Sequence, residues 1–196
     1  MSTCRKLLSL DLLKDYYKAL EVCIGRKVHQ NQVKELRELD EWFRKGLVEN
    51  LMAKEVPFVS RDELLKIVQW KLARGKYRPR LYKLVENNNE QSVRECSQKA
   101  FKVVGDGEQG HIRKGITELC KLKGLGPATA SAILSAYSKD VPFMADEAVQ
   151  KLCPGKSIKY TMKGYMEFVE RVEDIKHPTL SPRDISHCLW VHKLLE

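Results

Sequence analysis

Residues 111–150 read HIRKGITELCKLKGLGPATASAILSAYSKDVPFMADEAVQ, and this stretch decides the fold. Apolar residues recur at helical spacing from Ile112 to Leu122, and a glycine-rich turn follows at 124–127. A second helical run, rich in small residues, begins at Ala128. The pattern predicts a helix, a tight hairpin and a second helix that packs closely against its neighbours.

The hairpin has the features of an anion-binding turn. Its two glycines permit positive φ and close backbone approach, and Pro127 suits the first position of a helix. The unpaired amides at a helix N-terminus favour an anion, most commonly phosphate. Leu125, the large side chain between the two glycines, is expected to lie beneath the turn and hold the two helices together. The alternative to phosphate binding is a purely structural turn. The predicted phosphate-binding residues are Lys123, Gly124, Leu125, Gly126, Ala128 and Thr129.

Two segments together resemble a known family. The hairpin Leu122-Lys123-Gly124-Leu125-Gly126 precedes the segment Val141-Pro142-Phe143-Met144-Ala145-Asp146, and Asp146 lies eighteen positions after Ala128. This arrangement is similar to that of the helix-hairpin-helix DNA glycosylases of the HhH-GPD superfamily, which carry an essential aspartate after such a hairpin. Lys123 stands where the family often has proline, which adds charge and leaves the hairpin intact.

The resemblance implies a catalytic role for Asp146. Cleavage of an N-glycosidic bond builds positive charge on the sugar, so a nearby carboxylate stabilises the transition state and can orient or deprotonate the attacking water. Family members that also cut the strand place a lysine at the position of Ala128, and its absence implies base removal by water without lyase activity. The alternative is that Asp146 caps a helix.

A second candidate contact surface lies at residues 70–83, WKLARGKYRPRLYK, which carry six basic residues, no acid and three aromatic rings. Basic groups neutralise phosphates and rings stack on bases, so the composition indicates a nucleic-acid surface. Arg74, Lys76 and Arg78 are the predicted phosphate contacts because Gly75 and Pro79 should expose them. The alternative is a solvated basic turn whose aromatic rings face the core.

Composition sets the remaining bounds. The chain has 196 residues, 43% of them hydrophobic, and a formal net charge of +9, which suits one domain with a polyanionic partner. No run approaches a membrane span, and charges interrupt the N-terminus before a signal-peptide core forms. We therefore expect an intracellular protein, nuclear or cytoplasmic, that is not secreted and does not bind a membrane.

No metal or cofactor site is predicted. The six cysteines, at positions 4, 23, 96, 120, 153 and 188, include no C-x-x-C pair and no close cluster. His187 and His192 lie five positions apart and share a helical face poorly.

Other helices are predicted at about 9–24, 31–51, 60–75, 89–104, 147–152, 160–173 and 181–195. The predicted architecture is all-α and helix-hairpin-helix glycosylase-like, a single fold over 1–196 with two lobes and a cleft. One lobe would span about 30–140, including the hairpin at 116–137, and the other about 1–29 plus 141–196. The leading hypothesis is a monofunctional DNA glycosylase that binds duplex DNA by its phosphate backbone. The alternatives are a non-catalytic nucleic-acid-binding protein and a helical protein-interaction domain.

Overall fold

The computed structural model describes residues 10–26, 30–76, 78–107, 110–155 and 157–196. It is 70% helical with no strand among those residues, so the predicted all-α class is confirmed. The helices are α1 (Leu10–Lys14), α2 (Tyr16–Gly25), α3 (Gln30–Glu41), a π-helical turn (Trp42–Gly46), α4 (Leu47–Met52), α5 (Arg61–Arg74), α6 (Pro79–Glu86), α7 (Glu90–Gly105), α8 (His111–Leu119), α9 (Pro127–Tyr137), α10 (Asp146–Leu152), α11 (Met162–Glu173) and α12 (Pro182–Leu195).

Several helices begin where the sequence places a capping residue. Ser60 accepts a hydrogen bond from the Glu63 amide at 3.1 Å, while the Glu63 carboxylate accepts from the Ser60 amide at 2.8 Å, and this capping box starts α5 where the sequence predicts a helix. Ser181 and Asp184 form the same reciprocal pair at the start of α12. Asn89 caps α7 by accepting from the Ser92 amide at 2.7 Å.

Helix α9 lies at the centre of the fold, as its small residues predict. Every residue from Ala128 to Ala136 is buried. Close packing continues on the neighbouring helix, because a Cβ added to Gly115 of α8 would lie 2.7 Å from Val104 of α7. At the other side of the molecule α12 packs against α1, α2, α10 and α11, so the described parts of both chain ends meet. The division into two lobes stays a prediction.

Two predicted helices are interrupted. The 9–24 helix breaks at Asp15, whose amide bonds the Leu12 carbonyl three residues back at 3.2 Å. The predicted 31–51 helix contains the π-helical turn, which accommodates one extra residue without ending the helix. A further helix, α6, begins at Pro79 within the basic segment, where no helix is predicted from the sequence.

Candidate functional site

One hollow brings the basic segment and Asp146 together. Its first wall consists of Lys71 and Arg74 from the end of α5, with Gly75, Lys76 and Arg78 from the connection to α6. Its second wall runs from Phe143 to Glu147 and includes Tyr160. The arrangement places a carboxylate opposite four basic residues, although the two walls lie about seventy positions apart in the chain.

Asp146 is the first residue of α10 and does not cap it. The N-cap position belongs to Ala145, and no side-chain capping bond is present there. The Asp146 carboxylate instead accepts a hydrogen bond from the Tyr160 hydroxyl at 2.7 Å. Burial, together with the neighbouring Asp146 charge, raises the pKa of Tyr160 to about 12, so this hydroxyl remains a donor at physiological pH. The N-cap interpretation of Asp146 is therefore wrong.

The segment that carries Asp146 is held by three side-chain hydrogen bonds. The Tyr165 hydroxyl donates to the Pro142 carbonyl, the Phe143 amide donates to Ser186 Oγ, and the Met144 amide donates to Ser131 Oγ, each at 3.1 Å. These partners come from α11, α12 and α9. Three helices thus fix the backbone immediately before the carboxylate, which leaves Asp146 little freedom to move.

Lys71 is the least expected member of the hollow. Burial lowers the pKa of its amine, the Asp146 charge opposes that effect, and the Arg78 charge adds to it. A lysine is tolerated in such a position because the opposing carboxylate of Asp146 partly compensates the cost of burying its charge. The sequence indicates only that Lys71 belongs to a basic run, because burial is decided by the packing of the second wall.

Arg74 differs from its predicted role. Only 5% of the residue is exposed, and its guanidinium carbon lies 3.9 Å from the centre of the Trp190 ring and 5.1 Å from that of Trp70. The predicted exposure is wrong because α5 continues through Arg74 and the helix ends only at Gly75. The ring of Trp70 is also fully buried, stacked on Phe43 with their centres 3.6 Å apart.

Lys76 and Arg78 are exposed, as predicted. The Arg78 guanidinium carbon lies 4.9 Å from the centre of the Tyr160 ring, so the two walls touch at the rim of the hollow. The aromatic residue Tyr77 of the basic segment lies outside the described residues.

The hairpin is partly exposed and partly packed. Gly124 has φ +79°, and a Cβ there would lie 2.9 Å from Val85 of α6, so glycine is required on both grounds. Lys123 is exposed, whereas the side chains of Leu125, Ala128 and Thr129 are buried. Leu125 therefore lies under the turn as predicted, and of these buried residues only the backbone is available to a ligand.

Asn88 fastens the hairpin to the corner between α6 and α7. Its side-chain oxygen accepts from the Lys123 amide at 2.8 Å, and its side-chain nitrogen donates to the Lys123 carbonyl at 3.0 Å. Within the described part of the chain, the amides of Gly124, Gly126 and Ala128 make no hydrogen bond. Three donors thus remain at the N-terminus of α9, where the helix dipole favours an anion.

Ser131 connects the hairpin helix to the carboxylate. Its hydroxyl donates to the Ala128 carbonyl at 3.1 Å while accepting from the Met144 amide. Ala128 itself does not line the hollow, and its methyl group is buried.

The hollow beside Asp146 is small in this conformation. Its free volume is about 40 Å³, which suits two or three water molecules. Tyr160 and Arg78 form its rim, so a ligand as large as a nucleobase enters only when these side chains move.

The chain matches no protein-family model, no curated protein and no solved structure. Among the described residues, no helix is long and apolar enough to cross a membrane. The same residues contain no group of three or more His, Cys, Asp or Glu side chains that could hold a metal ion. The fold and the site thus define a basic, all-helical protein with a half-buried carboxylate in a cationic hollow.

Proposed function

We propose that the protein is a DNA-binding, monofunctional DNA glycosylase-like hydrolase that removes a damaged or mispaired base. The observation that carries the proposal is the position of Asp146, on a braced segment and opposite Lys71, Lys76 and Arg78 in one hollow. A polyanion drawn to those cations would bring its sugar close to a carboxylate, which is what cleavage of an N-glycosidic bond requires.

Asp146 would stabilise the cationic sugar as the base departs. Tyr160 engages one carboxylate oxygen, Oδ2, and Oδ1 then remains for the sugar or the attacking water. Because the preceding backbone is held by three helices, the charge is oriented before the substrate arrives, and little reorganisation opposes the reaction.

The proposed DNA contacts divide between the first wall of the hollow and the hairpin. Lys76, Arg78 and Lys123 are exposed cations, and the hairpin amides offer a backbone phosphate site. Anchors on both sides of a nucleotide are what extrusion of its base from the duplex requires.

The attacking group in this proposal is water. The buried methyl of Ala128 supplies no amine at the position where related lyases carry one. Borohydride should therefore trap no adduct with an abasic duplex. Lys71 and Lys76 line the hollow, so an adduct that disappears in Lys71→Arg or Lys76→Arg would contradict water-only chemistry and identify the amine responsible.

The central experiment does not depend on knowing the base. A duplex containing a pyrrolidine nucleotide presents a cation in place of the sugar, and a tetrahydrofuran nucleotide is its neutral control. The wild type should bind the pyrrolidine duplex at least roughly tenfold more tightly, and Asp146→Asn should lose that preference while retaining its affinity for the control. Equal preference in both proteins would exclude Asp146 as the stabilising anion.

Catalysis is then tested with duplexes that carry deaminated, alkylated or oxidised bases. Abasic product from the wild type and none from Asp146→Asn, with folding intact, is the expected result. If no duplex yields product, or the variant is as active as the wild type, the enzyme hypothesis fails.

The second candidate is a nucleic-acid-binding protein without catalysis. It is favoured by the small volume of the hollow and by the Tyr160 hydrogen bond that occupies part of the carboxylate. It predicts duplex binding without any preference for the cationic sugar. A protein-interaction domain, the third hypothesis, predicts no salt-dependent binding of DNA.

A further inference from the structure

A second and larger hollow, of about 250 Å³, opens on a different part of the surface. It lies between the π-helical turn, the end of α9 and the start of α12. Its polar lining includes Arg44, Arg183 and His187, and its apolar lining includes Leu13 and Phe43. Neither Asp146 nor any residue of the basic segment lines it.

Arg44 enters this hollow from the π-helical turn. Its guanidinium carbon lies 3.7 Å from the centre of the Tyr16 ring, which orients the group. Its Nη1 atom is buried and has no hydrogen-bond partner in the described part of the chain. Buried donors are nearly always satisfied by protein, water or an ion, so this atom is a candidate donor to a ligand of the hollow. Single π-helical turns within α-helices frequently occur at functional sites.

Arg183 faces the same hollow from the first turn of α12. Its Nη1 atom donates to the Ser135 carbonyl at 3.2 Å, and this bond orients the side chain. The other N–H donors of the guanidinium are then available to a ligand. The neighbouring carboxylate of Asp184 also lines the hollow. However, it accepts from the amide and the hydroxyl of Ser181, at 3.1 and 2.6 Å, so it is committed to capping the helix.

His187 lies one turn beyond Arg183 on the same helix. Burial lowers its pKa to about 3, with further lowering by the charges of Arg74, Arg44 and Arg183. The imidazole is therefore neutral at physiological pH, and the two lining guanidinium groups supply the positive charge. A neutral imidazole still offers one N–H donor beside them.

We infer that this hollow binds a small oxyanion, a phosphate group in the simplest case, between Arg44 and Arg183. Guanidinium groups match phosphate oxygens in geometry as well as charge, and both Arg44 and Arg183 line the same hollow. The apolar lining from Leu13 and Phe43 suits the carbon part of an organic phosphate. The inference is independent of the proposed glycosylase function, because it uses none of the residues around Asp146.

Inorganic phosphate is the first probe, exchanged for chloride at constant ionic strength while unfolding by urea is followed. At tenfold excess over its dissociation constant, phosphate should increase the folding equilibrium constant of the wild type about elevenfold. Arg183→Met should lose this gain, whereas Arg113→Met, which removes an exposed arginine from α8, should retain it. An equal gain in both variants, or no gain in the wild type, would overturn the inference.

Phosphorus NMR of inorganic phosphate provides a measurement that does not depend on unfolding. Line broadening by the wild type should persist with Arg113→Met and disappear with Arg183→Met; broadening that persists in both variants would also overturn the inference.

Titration with unmodified duplex then identifies the source of the phosphate. If Arg183→Met leaves duplex affinity and its salt dependence unchanged, the ligand is a small free anion. If the variant reduces the salt slope by about one, the site holds a backbone phosphate.

Discussion

At the scale of single residues, Tyr160 controls how much of the Asp146 carboxylate a ligand can reach. Its hydroxyl donates a hydrogen bond to Oδ2 of Asp146, and its ring lies against the Arg78 guanidinium at the rim of the hollow. The same side chain thus orients the carboxylate and narrows the hollow. Sequence patterns do not reveal this role, because Tyr160 lies fourteen positions beyond Asp146 and follows a connection without a repeating pattern.

Removing only the hydroxyl separates these two effects. Tyr160→Phe keeps the ring and loses a hydrogen bond to a charged group, which is worth about 1.5–3 kcal/mol. We expect the preference for the pyrrolidine duplex to fall by roughly tenfold or more, since each 1.4 kcal/mol is a factor of about ten. Competitive binding against the tetrahydrofuran duplex measures this, and Tyr137→Phe is the matched control. An unchanged preference would mean that Tyr160 does not orient Asp146.

Lys71 should affect stability in a pH-dependent way. Its pKa is lowered in the folded protein, so the unfolded chain binds more protons between the folded pKa and the ordinary value of about 10.4. The cost of burying its charge is therefore full below the folded pKa and declines as pH rises towards the unfolded one.

The variant Lys71→Met removes this cost. Its gain in unfolding free energy over the wild type should be larger at neutral pH than at alkaline pH, as measured by urea unfolding. Lys102→Met, at an exposed position on α7, should show no such trend. A gain that is constant with pH would show that Lys71 titrates normally.

At the scale of elements, the hairpin depends on its attachment to the corner between α6 and α7. Asn88 is 7% exposed, and its side chain makes three hydrogen bonds, one to the Val85 carbonyl and two to Lys123. The hairpin sequence predicts the turn and its positive-φ glycine. It does not predict the attachment, because Asn88 lies thirty-five positions upstream, where it resembles an ordinary turn residue.

Asn88→Ala should destabilise the protein by about 2–3 kcal/mol, because it leaves buried polar groups of the hairpin without partners. Urea unfolding measures the loss. The neighbouring variant Asn87→Ala removes one exposed bond to the Lys83 carbonyl and should cost less than about 0.5 kcal/mol. Comparable losses in both variants would show that the hairpin is held by other contacts.

Local signals account for most of the helices. The predicted starts of α5, α7 and α12 coincide with the capping residues Ser60, Asn89 and Ser181, and small residues indicate the closely packed helix α9. The sequence does not predict the π-helical turn, because one extra residue shifts the spacing of the apolar residues too little to be recognised. Helix α6 was missed because the surrounding positive charge favoured interpretation as a loop, although Pro79 is a normal first residue of a helix.

At the scale of the whole molecule, the net charge of +9 is useful only where it is exposed. The basic segment illustrates this, because Lys76 and Arg78 face solvent whereas Arg74 is enclosed by rings. From the sequence alone, all three are predicted to share one role as phosphate contacts. Burial of a residue depends on which helices from distant parts of the chain pack over it, and the sequence alone does not reveal those helices.

Binding of duplex DNA should weaken with salt. Arg78→Ala or Lys123→Ala should each reduce the slope of log affinity against log salt by about one, since each loses one phosphate contact. Lys102→Ala is the exposed control with an unchanged slope. Measurements at several chloride concentrations give the slopes directly, and a slope that none of the variants changes would favour the protein-interaction hypothesis.

The braces on the segment before Asp146 have a practical consequence for attempts to alter what the protein recognises. The side chains of Ser131, Ser186 and Tyr165 hold the backbone on the acidic side of the hollow. Most substitutions at these three positions should therefore destabilise the fold rather than change ligand preference. On the opposite wall, Lys76 and Arg78 have exposed side chains. Directed evolution of ligand preference should therefore diversify those two positions and keep the bracing serines and tyrosine constant.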